Sequence, residues 1–168
     1  MIVQIPSEYI VYDKKILNLC RVPFYNHSKG CPNWNKKEGC PPNVLLIDKI
    51  LDFNKELYII YTEFNVGEFA EKMRLMHPEW HKHPRQWYNP RRWQPKARKL
   101  HAKDQLLAMK TGIDTILSSA EANGVNITDT IKNIGIILKW DWPPLHILEN
   151  DEYKKNLSYV ISIGGYHK

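Results

Sequence analysis

Residues 20–42, CRVPFYNHSKGCPNWNKKEGCPP, constrain this chain more than any other stretch. Pro23, Gly30, Pro32, Gly39, Pro41 and Pro42 place six Gly or Pro residues in twenty-three positions. Proline removes a backbone donor and glycine weakens regular structure, so neither a helix nor a central strand can form here. The segment must be an irregular loop, and its backbone polar groups have no ladder to pair with. Cys20, Cys31 and Cys40, the only cysteines of the chain, all lie in it. A loop that gathers every thiol has one obvious means of order, convergence on a shared ligand.

Soft thiolate donors select zinc, copper(I) or iron–sulfur clusters. The spacing is Cys-x10-Cys-x8-Cys, with no close C-x2-C pair of the kind that most strongly signals zinc. Three thiolates satisfy three irons of a 4Fe-4S cubane and leave the fourth open to a small molecule. Zinc in a structural site needs a fourth donor, and His27 completes a Cys3His set. The alternative is three free cysteines packed as small hydrophobes, though the loop has few large apolar residues to join.

An odd cysteine count argues against a disulfide framework. No apolar run approaches the roughly 20 residues that span a bilayer, and the first residues lack the pattern of a secretory leader. The expectation is a cytoplasmic protein without membrane association.

Along the rest of the chain, residues 8–19 suggest a short strand and a turn. Val44, Ile47, Ile50 and Leu51 recur at helical spacing within residues 44–53. Residues 56–64, ELYIIYTEF, make the best strand, and their continuous apolar centre implies burial on both faces. Residues 66–77 suggest a helix with Phe69, Met73 and Met76 on one side. Four prolines break residues 77–95. From Lys96 a helical apolar pattern continues to Ala120, with Pro95 suited to its first turn and Gly112 to a bend or break. Asn126, Asp129 and Gly135 fit the cap, first turn and stop of a short helix. Residues 136–140 and 157–163 are candidate strands. The alternation predicts one α/β domain over residues 1–168, with a three- or four-stranded sheet and flanking helices.

The chain carries a net charge of +6, unevenly spread. From Lys72 to Lys103 there are ten Lys or Arg residues and one acid, Glu79. Within residues 77–101, Trp80, Trp87, Tyr88 and Trp93 interleave with Arg85, Arg91, Arg92, Lys96, Arg98 and Lys99. Such interleaving suits RNA, with bases on rings and cations on phosphates, and equally suits a small anionic molecule. Arg85, Arg91, Arg92, Trp93, Lys96 and Arg98 are the candidates for that contact. The same tryptophans also fit a packed cap over a core. His77 and His81, one helical turn apart, offer a second metal reading. Dinucleotide, P-loop and nucleophile-elbow motifs are absent. Glu63 follows the best strand, a place where α/β proteins often put site residues.

Cys20, the run GCPNW at 30–34 and the closing CPP at 40–42 resemble the N-terminal motif of an uncharacterised family of predicted metal-binding proteins. A second stretch, SSAEANGVNITDTIKNIGI at 118–136, is similar to that family's Ser-x-Glu-Ala-x-Gly element at Glu121, Ala122, Gly124, Thr130 and Gly135. The resemblance covers about a quarter of the chain and implies a metal or iron–sulfur site without supplying a reaction. Many such relatives carry a further cysteine group before the second element; this chain has no cysteine after Cys40. It therefore has ligands for one centre. The leading expectation is a three-cysteine iron–sulfur protein, with a zinc-stapled nucleic-acid-binding module as the alternative.

Overall fold

The structure is a computed structural model that describes residues 1–23, 27–138 and 156–168. Its centre is a four-stranded sheet with flanking helices, the α/β class that the alternating pattern predicts. The strands are β1 (Ile2–Ile5), β2 (Leu57–Asn65), β3 (Thr115–Leu117) and β4 (Leu157–Gly165), in the order β1-β2-β4-β3. β1 pairs with β2 antiparallel, Ile2 opposite Ile60, and β3 pairs with β4 antiparallel, Thr115 opposite Gly165. The helices are α1 (Ile47–Ile50), α2 (Val66–Met76), α3 (Pro90–Lys110) and α4 (Ile127–Lys132). No described helix is long and apolar enough to cross a membrane.

By its internal contacts the chain divides into two compact units. The first comprises Met1–Ile60, Gln105–Ile137 and Ile161–Lys168; the second comprises Tyr61–Asp104 and Leu138–Val160. The first unit holds the most deeply buried side chains: Ile47, Leu51, Leu57, Ile59, Ile60, Val125, Ile131 and Ile163 are all below 2 % exposed. Ile59 and Ile60 point to opposite faces of β2, so this strand is covered on both sides, as its apolar run requires. Each such side chain contributes about 1.5–3 kcal/mol on burial. In the second unit Val66, Ala70 and Tyr88 are buried together, with Phe64, Trp87 and Trp93 packed against them.

Several expectations are corrected. Residues 8–19 form no strand but two 3-10 helices, Ser7–Tyr9 and Lys14–Arg21, while the edge strand β1 precedes them. The helix expected over 44–53 shrinks to the four residues of α1. α3 begins at Pro90, after Asn89, whose Oδ1 accepts the Arg91 N–H at 3.1 Å, so Pro95 lies inside the helix. Its helical spacing does not run on to Ala120. Gly112, at φ +102, ends the element, and the β-branched residues after it pair with β4. Residues 136–138 form no strand, and 139–140 lie outside the described residues. The cap of α4 is as expected: the Asn126 side chain accepts the Asp129 N–H at 3.2 Å.

Candidate metal centre

Cys20 sits in the last turn of the 3-10 helix Lys14–Arg21, which Asp13 caps by accepting the Lys15 N–H at 2.7 Å. From there the chain returns on itself. The Cys31 N–H donates to the Cys20 carbonyl at 2.6 Å, tying the first two cysteines together through the backbone. Gly30 makes this approach feasible. Its φ is +79, and a Cβ at this position would stand 2.5 Å from the Cys20 oxygen. Beyond Cys31 the loop closes in short turns. Trp34 N–H donates to Cys31 O at 3.2 Å, Asn35 N–H to Pro41 O at 2.8 Å, and Cys40 N–H to Lys37 O at 3.1 Å. The Arg21 guanidinium lies 5.8 Å from the centre of the Trp34 ring, next to Cys20 in sequence. Among its described residues the irregular loop is ordered by turns, the Cys31–Cys20 backbone hydrogen bond and the Arg21–Trp34 cation–π contact.

The second motif comes to the same place from a hundred residues downstream. Glu121 lies in the 3-10 helix Ala120–Asn123, which packs against the helix that carries Cys20. The Gly124 carbonyl accepts the Asp13 N–H at 2.9 Å, and Tyr12 and Val125 form an antiparallel bridge. A Cβ on Gly124 would stand 2.7 Å from Leu46 Cδ2 and 3.0 Å from the Asp13 oxygen. Thr130, 1 % exposed, accepts the Val11 N–H on its Oγ1 at 3.0 Å. Gly124 and Thr130, which the resemblance singles out in the second element, thus hold the segment leading into Cys20.

All three thiols are free and half-buried. Burial pushes the Cys20 thiol up, and the charges of Cys31, Cys40 and Glu121 push it the same way. Glu121 has exposed surface, yet the protein around it raises its carboxyl by desolvation, against a hydrogen bond from its own backbone N–H. The Cys20 and Cys31 backbones meet at one hydrogen bond, and the helix of Glu121 packs against the helix that carries Cys20. Among the described residues, however, no three His, Cys, Asp or Glu side chains are close enough together to hold a metal ion. The donor set suits a soft metal: three sulfurs and one carboxylate. Glu121 is the member that sequence reasoning did not name as a site residue. Its only sequence signal is its place in the Ser-x-Glu-Ala element. His27 lies in the same loop, where its carbonyl accepts the Gly30 N–H at 3.0 Å.

The basic segment divides. Trp93 is half-buried, its Nε1 donates to Tyr88 O at 3.1 Å, and its ring stacks on Phe64 at 5.8 Å. Trp87 donates to His77 O at 3.1 Å. Trp80 stacks on His77 at 4.0 Å, with the Arg92 guanidinium 4.3 Å from its ring centre. The tryptophans are therefore engaged within the protein, and Arg92 has a packing role that the sequence did not suggest. Arg85, Arg91 and Arg98 are exposed, and Lys96 lies over the Phe69 ring at 4.9 Å. His77 meets Glu79 at 3.0 Å, and the His81 ring lies 3.2 Å from the Pro78 carbonyl, which leaves the paired-histidine metal reading without a third donor. His101, 3 % exposed, is bound into a buried network: its Nδ1 is 2.9 Å from Thr62 Oγ1, and that hydroxyl donates to Asp104. A hydroxyl has one proton to give, so Nδ1 carries a hydrogen and donates to Thr62.

Comparison of the chain with protein-family models, with curated proteins and with solved structures gives no match.

Proposed function

We propose that this chain is a metal-binding protein whose centre is held by Cys20, Cys31 and Cys40, with a 4Fe-4S cluster as the group that three thiolates suit best. One observation supports the reading: the Cys31 N–H meets the Cys20 carbonyl at 2.6 Å, and the short helix of Glu121, a hundred residues downstream, packs against the helix that carries Cys20. The resemblance of both motifs to predicted metal-binding proteins supports it, and rests on those motif residues. When bound, such a cluster supplies an iron with an open position that acts as a Lewis acid or takes up a sulfur ligand. The chain's own part is to supply the thiolates, to bring Cys31 against Cys20 through the Gly30 approach, and to hold a carboxylate beside them. Free thiols of this kind persist in a reducing compartment, which agrees with a cytoplasmic setting.

Anaerobic purification with metal analysis tests this. Brown protein absorbing broadly near 400 nm is the expected result; colourless protein with one stoichiometric zinc would transfer the same thiols to a zinc site. Cys20→Ser, Cys31→Ser and Cys40→Ser should each abolish metal retention and loosen residues 20–42, because a multidentate site couples binding to folding. Full metal content in all three variants would overturn the proposal.

A further inference from the structure

The second compact unit contains a cleft of about 560 Å³ between faces of α2 and α3, within the range that holds small organic ligands. Lys96, Lys99 and Lys103 descend one face of α3 into it, and Lys72 reaches it from α2. Their spacing on α3 is i, i+3, i+7, so like charges are stacked on one stripe, an arrangement that weakens a helix. Among the described residues none of the four is ion-paired: the described ion pairs use Lys49, Lys55, Arg74 and His77. Glu63 and Glu68 also line the cleft, leaving it two positive charges in excess, four minus two.

The rest of the lining is Phe64, Phe69, Leu100 and one polar residue, Asn65. Phe64 and Phe69 border the cleft, their ring centres 6.1 Å apart, and Lys96 Nζ sits over the Phe69 ring. Phe69 is 7 % exposed and Phe64 stacks on Trp93, so the half-buried Phe64 is the ring with surface left for a ligand; a bare inorganic anion would use the lysines and leave that surface uncovered. A purely apolar ligand would leave four ammonium groups unanswered. The lining matches a molecule with both parts: a flat aromatic body for Phe64, phosphates for the lysines, and hydroxyl donors for Glu63 and Glu68.

We infer that this cleft is a nucleotide site, in which Lys72, Lys96, Lys99 and Lys103 receive the phosphates and the exposed part of Phe64 receives the base. It shares no residue with the proposed metal centre, so either reading can fail without the other. It also explains the local excess of positive charge without asking the packed tryptophans to stack on bases.

Titration calorimetry with ADP, pyrophosphate and adenosine on the full chain tests the inference. ADP should bind one-to-one, and about ten-fold or more tighter than either fragment, since each contributes only part of the contact. Raising the salt should weaken ADP and leave adenosine nearly unchanged. Lys96→Gln combined with Lys103→Gln keeps good helix formers in α3 and should weaken ADP about ten-fold or more, each lost charge-assisted contact being worth about that factor. Arg91→Gln combined with Arg98→Gln, outside the cleft lining, should change ADP affinity by less than about two-fold. Pyrophosphate binding as tightly as ADP, equal losses in the two double variants, or no binding of ADP would each overturn the assignment.

Discussion

Replacing Gly30 by Ala tests how the first two cysteines are brought together, and its effect can be worked from the contacts. The backbone there has φ +79, a left-handed conformation that costs a residue bearing a Cβ about 1–2 kcal/mol. The new Cβ would also stand 2.5 Å from the Cys20 oxygen, 2.7 Å from the Arg21 carbonyl carbon and 2.8 Å from the Arg21 Cα. These are backbone atoms, so no rotamer change relieves them. Carbon and oxygen approach to about 3.3 Å at closest, so the strands of the loop must part by about 0.8 Å, 3.3 minus 2.5. The Cys31 N–H to Cys20 O bond, now 2.6 Å, would lengthen to about 3.4 Å, beyond hydrogen-bonding range. Its loss adds about 0.5–1.5 kcal/mol. The total is about 2–3 kcal/mol, in the upper range of single substitutions. Gly39→Ala is the control: it has a similar φ, +73, but nothing lies within 4 Å of its Cβ. Only the conformational cost of about 1–2 kcal/mol should appear there. Urea unfolding of both variants, followed by far-UV circular dichroism, gives the two values, and metal content after anaerobic purification gives a second readout. Gly30→Ala should lose metal and Gly39→Ala should retain most of it. Equal destabilisation by the two substitutions would refute the close approach of Gly30 to Cys20.

Two further outcomes follow from buried polar groups. Burial lowers the His101 pKa, with Asp104 acting in the opposite direction, so the folded state takes up a proton less readily than the unfolded chain. Stability should be level above pH ~6.5 and fall as the pH drops from there through the lower folded-state value; His101→Asn should remove that part of the slope in urea titrations at several pH values. Thr130→Val leaves the Val11 N–H without its acceptor beside α4 and should cost about 1–3 kcal/mol in the same assay, whereas an unchanged midpoint would mean that the contact bears no load.

The sequence carried β2 and α4 clearly, for different reasons. β2 is a long run of β-branched and aromatic residues that no helix face matches, and α4 is announced by side-chain capping at Asn126 and a positive φ at Gly135. The last part of the expected long helix failed because Ile113, Ile116 and Leu117 have spacings that satisfy a helix, while pairing with β4 makes Ile116 and Leu117 part of a strand. β1 is four residues long with one buried side chain, too little signal to separate from a loop. The irregular course of the cysteine loop was legible because composition alone forbids regular structure there. Glu121 was not, since nothing near it in sequence points to Cys20; the link runs through Asp13 and Gly124. For the basic segment, sequence reveals the surplus of charge but not the side of α3 on which it lies. Spacing along α3 separates Lys96, Lys99 and Lys103 from Arg91 and Arg98, and the choice between the two groups depends on where α2 packs.

β4 follows every other described element in the chain yet lies between β2 and β3 in the sheet. While the protein is being synthesised, β2 therefore has β1 on one edge and nothing on the other until residue 157 and those after it emerge. The start of β4 at Leu157 comes 92 positions after the end of β2 at Asn65, 157 minus 65. At roughly 5–20 residues per second this leaves an apolar strand edge open for roughly 5–18 s on the ribosome. Among the described residues β3 has no sheet neighbour other than β4, and it joins the sheet through that strand. Nascent chains stalled before Leu157 should thus be captured by holdase chaperones and cleaved readily by proteases, and a C-terminal truncation within β4 should yield aggregates rather than a smaller folded protein.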